Sequence, residues 1–330
     1  MANVLSNLFI AAVLAGTPLL LGALGEILSE RAGNMNLGVE GLMFMGAISG
    51  LVGSYYYEKI ILQSGGTPNG VISALTALLF SFLAGCLGAA IYSFLTITLH
   101  ANQNVTGLTL TIFGTGFANF FGEYFAQKEG GYIAVSDITK SAFTNLSIPV
   151  LSDIPVIGRL FFQYNWIVYF AMAATLFMTW FFKKTSIGLN VRAIGESPAT
   201  ADAAGISITR YKYVATIVGG GLCGIGGMYM SMVTTSGVWV HGCVGGYGWL
   251  AVALVIFATW SPFRGMLVSL IFGGLTVMRL YITIPGLPTQ LYDMIPYLAT
   301  ILVLVVTSMR QSKEHAQPKS CGINYFREER

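Results

Sequence analysis

The sequence predicts an all-α polytopic membrane protein, and three observations carry that prediction. Charged residues make up 9% of the 330-residue chain and hydrophobic residues 55%, whereas a soluble domain carries about 25% charged residues. A water-facing surface cannot be built from that inventory. Apolar runs of about 20 residues, the length that crosses a bilayer core as a helix, recur from one end of the chain to the other. Forty glycines and thirteen methionines fit helices packed in lipid, where glycine is commoner than in soluble helices.

The runs fall at about 4–25, 37–57, 71–99, 105–125, 165–182, 213–235, 249–260, 265–282 and 293–309. They predict one transmembrane domain over residues 1–330, a bundle of about nine (eight to ten) helices, some of them broken. The first run has no Lys or Arg before it, so it lacks the basic n-region of a secretory signal and reads as a retained span. The third is long enough to tilt or break. The seventh is too short to cross alone and follows the glycine-rich stretch 242-GCVGGYGWL-250. Non-helical backbone at membrane depth is tolerated only where protein buries it or it lines a cavity. A broken helix in the pathway is therefore expected there.

Orientation follows from the bases. Lys183, Lys184, Arg192, Arg210 and Lys212 crowd one loop, and Arg310, Lys313, Lys319, Arg327 and Arg330 crowd the tail. Basic loops stay on the cytoplasmic side. This places 183–212 and 310–330 in the cytoplasm, and the intervening even number of spans agrees. Counting back puts 126–164 outside, Arg31 inside and the N-terminus outside. The short linker 100-HANQN-104 fits a tight cytoplasmic turn.

Several functions are excluded. The net charge of +3 comes with no basic patch outside short loops, so nucleic acid is not a partner. The cysteines Cys86, Cys223, Cys243 and Cys321 form no C-x-x-C or zinc spacing. His241 and Cys243 supply two ligands at most, so no metal site is expected. The run 219-GGGLCGIGG-227 matches G-x-G-x-x-G, but dinucleotide binding needs a preceding strand and a later acid. Apolar neighbours make Gly220 and Gly224, four apart, a helix-packing face instead. No glycine is followed by lysine, so there is no Walker A sequence and no cofactor is expected on this chain.

Two stretches stand out against the apolar background. In "VRAIGESPATADAAGISITRYKYV", residues 191–214, Ser197 suits an N-cap, Pro198 the first helical position and Gly205 a left-handed stop. Two turns of helix are marginal alone in water, so this helix docks either onto another protein or onto its own membrane domain. In "GEILSERAGNMNLGVEG", residues 25–41, Glu26, Glu30, Arg31 and Glu40 crowd one end of two spans. Glu30 and Arg31 are expected to be solvated at the cytoplasmic edge. Glu40, followed by an apolar run, is expected to face the bundle interior and accept hydrogen bonds, either pinning the chain or contacting solute. Asn36, Glu40, Asn104 and Trp249 are expected to converge near the inner bundle as pathway residues.

Three ordered blocks resemble the permease subunits of bacterial ATP-binding-cassette importers in the branched-chain amino acid and simple sugar permease family, nearest its nucleoside and simple-sugar branch. They are "ERAGNMNLGVEGLMFMGA", "VRAIGESPATADAAGISITRYKY" with "GGGLCGIGGMYMSM", and "GYGWLAVALVIFATWSPFRGMLVSLIFGG" leading to "IPYLATILVLVV". Together they span most of the chain. One departure is Tyr247, where the family usually carries arginine or a similar residue. The resemblance implies that 191–212 couples to a cytoplasmic ATPase, through Arg192, Gly195, Glu196, Ser197, Pro198, Ala203, Ala204 and Gly205. It implies no catalytic residue, with ATP and Mg held by the ATPase. It further implies two ATPases, a second permease chain (identical or not), an external binding lipoprotein, and a multi-pass location in the bacterial plasma membrane.

Two other classes compete. An intramembrane enzyme would need a His/Asp/Glu cluster at depth, yet only His100 and His241 lie in the membrane region, near span ends. An ion-coupled secondary transporter would use Glu26 or Glu40 as its ion site.

Overall fold

Apolar helices capped at their ends by Asn, Ser or Thr build the molecule. The computed structural model describes residues 2–146, 157–281, 288–310 and 317–326. Among these the elements are α1 (Ala2–Arg31), α2 (Val39–Gln63), α3 (Gly70–Ser93), α4 (Gln103–Lys128), α5 (Asp137–Ala142), α6 (Ile157–Phe161) and α7 (Trp166–Lys184). They continue with α8 (Ser186–Glu196), α9 (Pro198–Ala203), α10 (Ile208–Tyr229), α11 (Tyr247–Phe257), α12 (Pro262–Val277) and α13 (Thr289–Arg310). Among the described residues no strand forms, only an isolated antiparallel pairing of Ala134 with Val238.

Side-chain caps start several helices where the sequence offers an amide or hydroxyl. Asn69 accepts from the Val71 N–H, Asn102 from Val105 and Asn165 from Val168. Each satisfies one of the N–H groups a helix start leaves orphaned. Two helices change pitch before they end. α3 runs on through a π-helical segment, Phe94–Thr98, and α10 through another, Met230–Thr234.

A helix stands at each of the nine expected spans. Five helices, at Val4–Arg31, Gly70–Thr98, Trp166–Lys184, Ile208–Thr234 and Pro262–Leu280, are long and apolar enough to cross a membrane. α2 and α4, at 25 and 26 residues, have crossing length but carry more polar residues. α11, at 11 residues, is the short apolar helix.

α10 runs through the middle, packed on α1, α2 and α3, while α12 and α11 lean on α1 and α4 on α2. Glycine lets α10 come this close. A Cβ on Gly219 would meet the Gly25 carbonyl, one on Gly220 would meet Ala89 and Gly85, and one on Gly224 would meet the Ser81 carbonyl. Opposite, Gly46 of α2 abuts the Gly224 backbone. Such contacts maximise van der Waals packing where lipid removes the hydrophobic drive between helices.

The two ends of the bundle differ. At one end lie Arg31, the linker before α4, α8, α9 and residues 317–326. At the other, the buried Glu58 carboxylate accepts from the Ser136 N–H (2.9 Å) and the Ser136 hydroxyl (2.6 Å), and from Thr139. Beside it Glu129 takes Lys59 at 2.6 Å and the Tyr55 hydroxyl at 2.6 Å. These hydrogen bonds, Lys59's first and then Tyr55's, hold the Glu129 carboxyl below its ordinary range. The expected external loop 126–164 is thus tied to α2 over its described part; residues 147–156, with Asp153, lie outside the described residues, as do Lys313, Arg327 and Arg330 of the tail.

Gly224→Val forces a branched side chain against the α3 backbone at Ser81 and Gly85. Thermal unfolding of the purified protein should show a loss of at least about 1–3 kcal/mol, the usual cost of overpacking. Gly116→Ala on α4 meets nothing within 4 Å and should be neutral or stabilising.

Candidate translocation and coupling site

The chain turns back between α1 and α2 through residues 32–38, non-helical backbone enclosed by the bundle. Its polar groups are all the more in need of partners because water is remote. The sequence supplies them from three helices, α1, α3 and α4. The Glu26 carboxylate accepts from the Asn36 N–H at 2.8 Å, and the Tyr92 hydroxyl donates to the Met35 carbonyl at 2.5 Å. Gln103 Oε1 accepts from the Met35 N–H at 2.8 Å, and the Thr111 hydroxyl donates to the Leu37 carbonyl at 3.0 Å. Asn36, 2% exposed, turns its own Oδ1 onto the Gly38 N–H.

This segment sets Glu40 at the start of α2, where it faces the broken helix. Gly245 and Gly246 have positive φ, a conformation open to glycine at little cost, and they turn the chain sharply into α11. The Glu40 carboxylate then accepts from the Gly246 N–H at 2.8 Å and the Gly248 N–H at 2.6 Å. An anion here meets both the orphaned donors and the positive end of the helix dipole. Gly248 must be glycine, because a Cβ would strike the Glu40 backbone.

The far end of α11 is held as firmly. Thr259 and Trp260 both lie in the left-handed region, at φ 49° and 54°, which for such bulky residues persists only where the surroundings impose it. The Trp260 indole N–H donates to Glu30, and the Trp260 carbonyl accepts from Arg31 Nε at 3.1 Å. Glu30, expected to be solvated, is 4% exposed. The correction has a plain cause: Trp260 folds over it, which no local feature of α1 announces.

Of the four expected pathway residues, Asn36 and Glu40 come together at the start of α2, Trp249 joins them only through its backbone N–H at Glu40, and Asn104 stands apart. Both of the latter are exposed. The capping turn of α4 points Gln103 inward in place of its neighbour Asn104. Trp249 lies in the first turn of α11 with its side chain exposed and its backbone N–H toward Glu40. Gln103 and Trp260 were missed by sequence reasoning; a polar residue one step from Asn104 was the only available signal for the first.

The polar stretch 185–207 forms two helices. Ser197 caps α9, accepting from Thr200, with Pro198 in its first turn, and Gly205 stops it at φ +79°. α8 was not anticipated, although Thr185 caps it and Gly188, Val191, Ile194 and Gly195 line its buried face at helical spacing. Gly195 is buried, and a Cβ there would meet the Arg31 carbonyl and Pro318. Arg192, Glu196, Ala203, Ala204 and Gly205 are exposed, while Ala201 packs inward with Ile194 and Ile208. Residues 317–326 strap this pair to the bundle. Ser320 donates its N–H to the Gly195 carbonyl at 2.9 Å, and the Tyr325 hydroxyl donates to Asp202 at 3.0 Å. Asn324 bonds the His100 carbonyl at 2.6 Å and Gln103 at 3.2 Å. Gly220 and Gly224 lie in the α10 packing faces described above.

Among the described residues the competing chemistries find no assembled site. His100 stacks on Phe326 at the strapped end, and His241 lies against Trp239 beside the pairing of Ala134 with Val238 at the other. Among the described residues no three of His, Cys, Asp and Glu come together as metal ligands. The carboxylates of Glu26 and Glu40 are both engaged by backbone N–H groups, which argues against a free ion-coupling acid.

The profile of the family described as branched-chain amino acid transport system / permease component matches residues 8–304. Among curated proteins the chain is 33% identical over 348 residues to TsgC13 of Haloferax volcanii, a candidate glucose ABC transporter permease, covering 98% of each. It is 30% identical to the nucleoside ABC transporter permease NupC of Lactococcus lactis, covering 98% of each, and 30% identical to the guanosine ABC transporter permease NupQ of Bacillus subtilis, covering 99% of each. This chain of glycine-packed membrane helices belongs to the branched-chain amino acid transport system permease family, the non-catalytic membrane subunits of ABC transporters, whose ATPase is a separate chain.

Proposed function

We propose that this permease forms the pathway for a nucleoside or simple sugar and takes its drive from an ATPase seated on α8 and α9. The observation that carries the coupling part is the division of labour in 185–207. One face is locked onto α1 and the tail, and the other, through Arg192, Glu196, Ala203 and Ala204, is bare. Small alanines let a partner's groove approach the backbone, and the caps at Ser197 and Gly205 keep so short a helix formed. The three relatives named above carry nucleoside, guanosine or glucose in their names, neutral solutes rich in hydroxyl groups. A second permease chain and an external binding lipoprotein complete the importer in the bacterial plasma membrane, with ATP and Mg on the ATPase. Affinity then resides in the external protein, because tight binding inside the bundle would hinder release.

Ala203→Trp leaves α9 intact and blocks docking, and Gly205→Val strains its stop by about 1–3 kcal/mol. Both should insert normally, yet co-purify poorly with the ATPase and lose substrate-stimulated ATP hydrolysis. Normal ATPase occupancy and transport in Ala203→Trp would remove α9 from the coupling path.

Glu40 is proposed to hold the half-helix α11 in place beside the solute path. Glu40→Ala strands the N–H groups of the half-buried Gly246 and the buried Gly248, the latter at about 1–3 kcal/mol, and should abolish transport while the assembly still forms. Glu40→Gln, which keeps an acceptor, should retain part of it. Uptake by proteoliposomes separates the two outcomes.

The orientation is open to a direct check. In a cysteine-free background, Asp137→Cys should react with an impermeant thiol reagent on intact cells, and Ala203→Cys should not. The reverse pattern inverts the topology.

A further inference from the structure

At the strapped end lies a cavity of about 660 Å³, apart from the return segment's contacts with Glu40 and α11. Its floor holds Lys212, a residue 4% exposed that makes no ion pair or hydrogen bond among the described residues. A buried ammonium without a partner is costly, and it is the kind of group an anionic ligand satisfies. Asn34, also in the wall, keeps a buried Oδ1 with no hydrogen-bond partner among the described residues.

The rest of the wall is ordered from floor to rim. The buried Thr96 and the exposed Thr209 line it. The rim carries His100 and Phe326, both exposed and stacked with ring centroids 4.7 Å apart. A cation below and flat rings above ask for two things in one molecule: a phosphate and a planar ring. Lysine binds phosphate as a point charge, bases stack on aromatic side chains, and a nucleoside monophosphate carries both groups. The volume suits one such molecule, since small-molecule sites run from about 300 to 1,000 Å³.

We propose that this cavity is a binding site for a nucleoside monophosphate, held between the α9–α10 turn, the end of α3 and the C-terminal strap. The binding claim is independent of which solute the bundle carries. Its regulatory consequence, that occupancy fastens α9 to the bundle and slows ATP-driven cycling, rests on the coupling reading above.

Titration calorimetry on the full-length chain in detergent tests binding without the ATPase. Adenosine monophosphate should bind, while adenosine and inorganic phosphate each bind at least about tenfold more weakly. Lys212→Met should weaken the nucleotide at least about tenfold, and Phe326→Ala, at an exposed position where folding is not at stake, at least about fivefold. No binding of adenosine monophosphate, equal binding of inorganic phosphate, or wild-type affinity in Phe326→Ala would overturn the proposal. A further arm uses nanodiscs. Binding in phosphatidylcholine that vanishes in phosphatidylglycerol would assign the cavity to a lipid headgroup and overturn the soluble ligand. If the nucleotide binds but leaves ATP hydrolysis by the whole transporter unchanged, the site stands and its regulatory consequence falls, while the coupling reading is decided by Ala203→Trp.

Discussion

Everything else in the molecule hangs on how near α10 comes to its neighbours. Glycines at 219, 220, 224 and 227 bring its backbone against α1, α2 and α3, where a single Cβ would collide with a facing main chain. Lipid offers helices no hydrophobic reason to associate, so close packing is what holds the bundle. The same closeness makes α10 a stiff element. Its N-terminal end follows directly from α9, and its C-terminal end enters a π-helical segment near the opposite surface. A displacement imposed on α9 therefore has a rigid body to act on, in contact with both helices that frame the return segment.

That return segment and the half-helix α11 are the places where membrane protein rules are stretched. Both contain backbone that no helix satisfies, and both are completed by buried side chains: Glu26, Tyr92, Gln103 and Thr111 for residues 32–38, Glu40 for α11. The two carboxylates thus do structural work that a first look at acidic residues in a membrane assigns to ions or solute. Hydrogen bonds from backbone N–H groups to a carboxylate are among the stronger kind, and they leave α11 fixed at both ends, by Glu40 and by Trp260 against Glu30. A helix pinned so is well placed to move as a unit with α1 and α2.

Much of this was legible in the chain. Apolar run length located every long helix, and Ser197, Pro198 and Gly205 announced α9 and both its ends, because capping is local chemistry. The short apolar run after 242-GCVGGYG announced the half-helix. What stayed hidden depends on distant partners. Glu30 reads as a solvated end-of-helix acid until Trp260, 230 residues later, closes over it. Gln103 and Asn104 are indistinguishable until the turn fixes which faces inward. α8 was obscured because its exposed face is polar and its buried face is built of small residues, so its apolar period is faint. The strap at 317–326 has no local signature, since its role lies in the residues it touches.

The central claim is that 185–207 presents one face to an ATPase and the other to the bundle. Photo-crosslinking residues placed singly along this segment in the assembled transporter test it most directly. The account predicts crosslinks to the ATPase from Arg192, Glu196, Ala199, Thr200, Ala203 and Ala204, and none from Val191, Ile194 or Ala201, which pack inward. Uniform crosslinking along the segment, or crosslinks confined to the buried positions, would contradict it.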